Sequence, residues 1–284
     1  MNNDYQIIQE LSSILESENT GWLDVKWDNE RVIGLAIFCK ENLSELPNNI
    51  CDLKQLNILS VDYCNLKCLP SAIGNLTKLE YLQLRGNNIK ELPSSIQYLK
   101  ELQDLDLSHN KFSVMPECIF SLTNIKTLAL QNNELTYLPN QFNLILNLDI
   151  IDLSNNQLTS LPESFSSLKF SKQGCVSLSG NLFNSFPTNI PLNVKRLGLA
   201  NLGLKTVPSL AQYTQLESLS LAGNKLSELP LDFDKLDKLT RLDLASNMFE
   251  YYPDILHEMS EYLTILLYDN PLKQEYYIRM YNWK

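Results

Sequence analysis

His109 follows Asp104 and Asp106 closely in sequence, and a histidine beside a carboxylate is the pairing that activates a hydroxyl or thiol for nucleophilic attack. No serine or cysteine nucleophile is evidently placed beside it, and a triad needs mutual geometry that this spacing does not supply. The other histidine opens His257-Glu258-Met259-Ser260-Glu261, which has the form of a zinc-helix motif except that Glu261 stands where the second histidine belongs. Its phase places it on a turn, so chance is the better explanation. Six cysteines (Cys39, Cys51, Cys64, Cys68, Cys118 and Cys175) lack the paired Cys-x-x-Cys spacing or histidine partners of a metal site. No phosphate loop, dinucleotide fingerprint or nucleophile elbow is present. The chain is therefore expected to be no enzyme, with no cofactor and no metal.

The elements that would position any site are repeats. Ten of the twelve prolines share one phase: Pro47, Pro70, Pro93, Pro116, Pro139, Pro162, Pro187, Pro208, Pro230 and Pro253. The first six stand 23 residues apart, and the later gaps are 25, 21, 22 and 23. Proline fixes φ and removes a backbone donor, so its return at one phase marks the same turn in many copies of one unit. The best copy reads Leu79-x-x-Leu82-x-Leu84-x-x-Asn87-x-Ile89, followed by Leu92-Pro93-x-x-Ile96-x-x-Leu99. Asn110, Asn133, Asn156, Asn181, Asn224, Asn247 and Asn270 anchor further copies. Cys64 and Leu202 take the asparagine place in two more, and Lys40 takes it in a first copy with one extra residue. Eleven copies run from about residue 32 to residue 272.

The Leu-x-Leu alternation is that of a strand with one buried face, so Leu82 and Leu84 point inward while Gln83 and Arg85 point outward. The asparagine is a short amide able to satisfy backbone groups at a turn into the core. Cys64 can do this weakly and Leu202 not at all, although Asn201 beside it offers an amide. The gaps of 25 and 21 cancel over two periods, which places a local displacement at Lys169–Gly174 and Ile190–Val194. A bump on the convex side is expected there.

This pattern resembles the leucine-rich-repeat family in its 23-residue form, over roughly 85% of the chain. The resemblance implies an α/β solenoid, a curved horseshoe with a concave parallel β-sheet of about eleven strands and short helical or 3-10 turns on the convex side. It also implies protein partners. Three regions are expected: an N-terminal cap over residues 1–31, repeats over 32–272, and an aromatic C-terminal cap over 273–284. The first cap combines an amphipathic helix carrying Ile7, Leu11, Ile14 and Leu15 with a segment holding Trp22 and Trp27. The last carries Tyr276, Tyr277, Ile278, Tyr281 and Trp283.

Outward strand positions add nothing to the core and are free to serve recognition. In the N-terminal half they are large or charged: Ile58, Asp62, Tyr63, Tyr81, Arg85, Asp104, Asp106 and His109, with Asp152 two repeats on. Further along they become small, at Ser177, Ser179, Gly198, Ala200, Ser218, Ser220, Ala222 and Ala245. Arg196, Arg241 and Asp243 interrupt that strip, and Leu266 and Tyr268 close it. The expected partner-binding set is Asp62, Tyr63, Tyr81, Arg85, Asp104, Asp106, His109, Asp152, Arg196, Arg241, Asp243 and Tyr268. The small strip admits a partner segment closely, the two arginines pair with its acidic groups, and the tyrosines and aspartates form a second anchor.

Charge and composition narrow the partners. The chain has 284 residues, a net charge of −10 and 44% hydrophobic residues. Nucleic acid is disfavoured as a partner, because phosphates are neutralised by Lys and Arg. No apolar run is long enough for membrane insertion. The start of the chain shows no secretory leader, so the expected location is the cytoplasm, or a host cell reached without a Sec signal. Free thiols in a reducing compartment fit the scattered cysteines. A bacterial effector, a substrate-recognition subunit serving a separate catalytic chain, and a surface adhesin are the alternatives. A monomer is expected, with a dimer through the Tyr-rich C-terminal end as the other possibility.

Overall fold

Each Leu-x-Leu segment lies beside the next in register, and a computed structural model describes the result for residues 3–17, 21–39, 43–170, 172–259 and 263–273. One helix, α1 (Asn3–Ser17), precedes twelve strands. They are β1 (Gly21–Asp28), β2 (Arg31–Cys39), β3 (Ile58–Asp62), β4 (Tyr81–Gln83), β5 (Asp104–Asp106), β6 (Thr127–Ala129), β7 (Ile150–Asp152), β8 (Cys175–Ser177), β9 (Arg196–Gly198), β10 (Ser218–Ser220), β11 (Arg241–Asp243) and β12 (Thr264–Leu266). They form one sheet in sequence order. From β2 to β12 every pairing is parallel, which gives the eleven parallel strands that the repeat count implies. The antiparallel β1 is an addition that the repeat pattern does not contain.

In most copies the proline starts the convex turn. The carbonyls of Pro47, Pro70, Pro93, Pro116, Pro162, Pro230 and Pro253 accept the N–H three residues on, opening a 3-10 turn at Ile50, Ile73, Ile96, Ile119, Phe165, Phe233 and Leu256. Proline suits this place because its carbonyl is used while its missing N–H is not needed. The copies at Pro187 and Pro208 form no 3-10 turn among the described residues. Pro187 lies inside the phase slip and Pro208 closes it. The extra residues are absorbed before β8, where Ile150 still faces Cys175, and the deficit before β9, where Cys175 faces Arg196. Gln173, standing in place of a core leucine, is exposed, and Phe170 packs against the core nearby.

One core runs the length of the sheet. Leu82, Leu105, Leu128, Ile151 and Val176 are fully buried beneath it. Burying such a side chain contributes roughly 1.5–3 kcal/mol. At the start, Ile7, Leu11 and Leu15 of α1 are buried, while Ile14 is 38% exposed and lies off that face. Asp4 ties the helix to the hairpin by accepting the Val32 N–H at 2.9 Å, with Arg31 at 3.5 Å. Asn49 donates to Glu10 at 2.6 Å, which joins α1 to the first turn. Trp27 lies against Tyr5, with ring centroids 5.7 Å apart. Trp22 instead stacks on Phe38 at 4.2 Å and is 60% exposed. Among the described residues no helix is long and apolar enough to cross a membrane. The aromatic residues expected in the C-terminal cap (Tyr276, Tyr277, Ile278, Tyr281 and Trp283) lie outside the described residues.

Candidate functional site: the concave face

The rim of the face is set by the asparagine ladder. Asn133 is typical: its amide donates to Leu107 O and Leu130 O, each at 3.0 Å, and its oxygen accepts the Phe112 N–H at 3.1 Å. It thereby joins two copies at the point where the strand turns into the core. Cys64 replaces this with thiol contacts, 3.3 Å to Asp62 O and 3.6 Å to Ile37 O. At the Leu202 copy the neighbouring Asn201 does not take over. Its side chain occupies the space over Gly223, where an added Cβ would sit 1.9 Å from the Asn201 oxygen. Asn201 is exposed there, so the ladder loses one rung.

The residue before each ladder position has positive φ. The column runs Tyr63, Gly86, His109, Asn132, Asn155, Gly180, Asn201, Gly223, Ser246 and Asp269. Glycine, asparagine, aspartate and histidine are the types that favour this left-handed conformation, whereas tyrosine holds it at a cost. Tyr63 adopts it at φ 56° and His109 at φ 55°. The Tyr63 ring lies over Gly86, whose φ is +69° and whose added Cβ would stand 2.3 Å from the ring. The Arg85 guanidinium is 5.7 Å from the same ring's centroid.

In the N-terminal half the structure brings Asp62, Tyr63 and Arg85 into one cluster. Asp62 accepts the Arg85 N–H at 2.8 Å and the Ser60 hydroxyl at 2.9 Å. Tyr81 faces Asp104 across β4 and β5, and Gln83 faces Asp106. Burial pushes the Asp104 carboxyl above its ordinary value; a hydrogen bond from Thr127 opposes this, and the nearby Asp106 charge adds to it. Burial likewise raises Asp62, with repulsion from Asp106, against the bonds from Ser60 and Arg85 and the Arg85 charge. Asp106 accepts the Ser108 N–H at 2.8 Å, and Asp152 accepts the Ser154 N–H at 2.9 Å and its hydroxyl at 2.6 Å. Each of these carboxylates thus spends one oxygen on its own strand. None of Asp62, Asp104, Asp106 and Asp152 joins an ion pair among the described residues.

Among the described residues His109 bonds to no carboxylate. Its Nε2 is 3.1 Å from the Asn132 amide, one repeat on. Ser108 beside it is fully buried. The pair of residues that suggested acid-base chemistry is therefore divided between two tasks, strand capping by Asp106 and rim packing by His109.

In the C-terminal half, Arg196 faces Cys175 on one side and Ser218 on the other, and Ser218 faces Arg241. The two guanidinium groups thus rise from one column, two strands or roughly 10 Å apart. Arg196 donates to Gln173 at 2.5 Å. Neither arginine joins an ion pair among the described residues. Asp243 accepts the Ala245 N–H at 3.1 Å and lies 3.5 Å from the Ser220 hydroxyl. Tyr268 is 60% exposed at the end of the strip. The structure adds Cys175 to the concave face: it is half-buried beside Arg196, and burial raises its thiol while the Arg196 charge lowers it. Its place directly before the Val-x-Leu of its copy was the available signal. Cys51, Cys68, Cys118 and Cys175 are free thiols, and burial raises Cys51 to about 11.

Comparison with known proteins agrees with this architecture. A model described as a leucine-rich repeat region matches residues 71–143, and a leucine-rich-repeat model matches 147–168 and 215–236. The unmatched stretch between the last two contains the phase slip and the missing ladder rung. Nothing among the curated proteins matches the chain. Among solved structures, a leucine-rich-repeat protein of Leptospira interrogans is 28% identical, with TM-score 0.56, over 84% of this chain and 72% of that one. A plant ice-binding protein is 24% identical, with TM-score 0.68, over 96% and 95%. The leucine-rich-repeat ectodomain of a membrane receptor kinase of Arabidopsis thaliana, solved in complex with Casparian strip integrity factor 2, is 23% identical, with TM-score 0.60, over 80% and 31%.

Proposed function

The chain is a leucine-rich-repeat protein, and from that premise we propose that it is a non-catalytic scaffold that docks a protein partner along its concave sheet. The observation that carries this reading is the set of charged side chains on that sheet that form no ion pair among the described residues. Asp62, Asp104, Asp106 and Asp152 lie on one half and Arg196 and Arg241 on the other, and none joins an ion pair among the described residues. Ionised groups on a rigid surface that the core does not require are available to a partner of opposite sign.

The two halves suit different parts of one extended segment. Asp104 and the outer oxygens of Asp106 and Asp152 take its basic side chains, while Tyr81 and the Tyr63–Arg85 pair supply flat, restrained contact area. Arg196 and Arg241 take its carboxylates, and Ser218, Gly198 and Ala222 between and beside them let its backbone approach. Asp243 and Tyr268 bound this second half. Tyr63 supports the reading in another way, since a bulky residue held in left-handed backbone marks a place where local strain is kept. The Arabidopsis receptor, which shares the fold, supports protein binding only by analogy.

A displayed library of random peptides tests the proposal. Selection on the folded chain is expected to enrich peptides carrying Lys or Arg and Asp or Glu in separate clusters. Enrichment that survives unchanged on a chain with Asp104→Lys, Arg196→Glu and Arg241→Glu combined would reject the concave face as the docking site.

A further inference from the structure

The sheet has two ends, and they are unequal. β12 holds three residues and β1 holds eight, so the first edge is about 27 Å long against about 10 Å for the last. β1 pairs with β2 on one side only, and no strand covers its other side among the described residues. Such an edge presents a row of backbone donors and acceptors to any strand that can match it. The irregularity in the hairpin falls on its partner: Lys26 faces Gly34 and Trp27 faces Val32, so Ile33 is the extra residue and β1 itself stays regular. β1 also contains no proline.

We propose that β1 pairs antiparallel with β1 of a second copy of this chain, about a two-fold axis through Val25. In that register Asp24 stands opposite the second copy's Lys26, and symmetry repeats the pair. Leu23 stands opposite the second copy's Trp27, again twice, and Val25 meets itself. Residues directly opposite in an antiparallel pair share a face. The hairpin already assigns those faces: Asp24 and Lys26 lie over Ala36 and Gly34 on the concave side, while Leu23, Val25 and Trp27 lie with Ile37, Leu35 and Val32 on the core side. Charges and apolar groups therefore match on both faces at once.

Neighbouring registers fail this test. A shift of one residue puts core-side groups opposite concave-side ones. A shift of two puts Asp24 opposite Asp24, or Lys26 opposite Lys26, on the axis. Asp24 and Lys26 are both exposed and neither joins an ion pair among the described residues. Beside the edge, on the helix side, is a cleft of about 550 Å³ whose lining includes Tyr5, Ile8, Ser12 and Trp27. The half-buried Leu23 of the second copy is brought to its Trp27 wall. The contact is isologous and closes on itself as a dimer. It joins the two sheets into one and gives a partner two concave faces, a bivalent arrangement. It is independent of what the concave face binds.

Sedimentation velocity and light scattering on the full chain test this across about 1–100 µM, since a dimer's population follows concentration. The expected mass is about twice the 32.6 kDa of the chain. Lys26→Glu turns two opposite-charge pairs into like-charge pairs and is expected to weaken dimerisation about tenfold or more. Asp24→Lys with Lys26→Glu restores complementarity and is expected to return the affinity to within about threefold of wild type. A wild-type chain that stays monomeric throughout overturns the proposal. So does a dimer indifferent to Lys26→Glu, or a double variant no better than the single one.

Discussion

From β3 to β7 the outward columns carry Asp62, Tyr81, Asp104, Asp106 and Asp152; from β8 to β11 they carry Ser177, Gly198, Ser218 and Ser220, broken by Arg196, Arg241 and Asp243. Beneath both halves the inward residues barely change. Leu82 and Leu105 on one side, and Leu197, Leu219 and Leu242 on the other, are all at most 2% exposed. The same register and the same core thus support two outer surfaces of opposite character. The difference is not imposed by folding, and that separates recognition from architecture on this scaffold. Part of it does return to architecture, because Asp106, Asp152 and Asp243 each bond a backbone N–H two residues on.

The largest expected effects probe the shared core. Leu105→Ala and Leu219→Ala should each destabilise the chain by about 3 kcal/mol in chemical unfolding, as a buried leucine truncated to alanine does. A large difference between them would break the claim that one core serves both halves. Asn133→Ala should cost on the order of 3 kcal/mol, because it leaves two carbonyls and an N–H unmet at about 1–3 kcal/mol each. A loss well under 1 kcal/mol would mean that water replaces the ladder amide. Tyr63→Ala is a smaller test of the N-terminal rim. It removes the ring over Gly86 and its Arg85 contact, with an expected loss of about 1 kcal/mol.

The smallest effect is a pH dependence. Burial, with repulsion from Asp106, holds the Asp104 carboxyl above its ordinary value, so on acidification the folded chain binds this proton before the unfolded chain does. Ionised Asp104 therefore weakens the fold above the raised value, and the penalty is gone below the unfolded value of about 3.9. Asp104→Asn should melt above wild type at pH 7, with the gap closing as the pH falls toward that value. Equal melting temperatures at every pH would show that the acidic half carries no such cost.

Much of this was legible in the residues. The proline phase and the Leu-x-Leu-x-x-Asn spacing are periodic, so they specify strands, register and core together. The outward columns follow from the same register, which places Asp104, Arg196 and Arg241 on the outer face from spacing alone. What spacing could not give was contact. It placed His109 near Asp104 and Asp106, but the rim turns its ring to Asn132. It offered Asn201 as a stand-in for the missing amide at Leu202, but left-handed backbone carries that side chain over Gly223 instead. The edge strand β1 was hidden because Gly21–Asp28 pairs antiparallel outside the repeat, so no period announces it.

The central claim is that the two halves of the concave face bind through their opposite charges. Its most direct test is titration calorimetry of the most enriched displayed peptide against wild type and against Arg196→Glu with Arg241→Glu, both confirmed as folded. The account predicts a loss of affinity of about a hundredfold, since two charge-assisted contacts become repulsive. An unchanged affinity would contradict it.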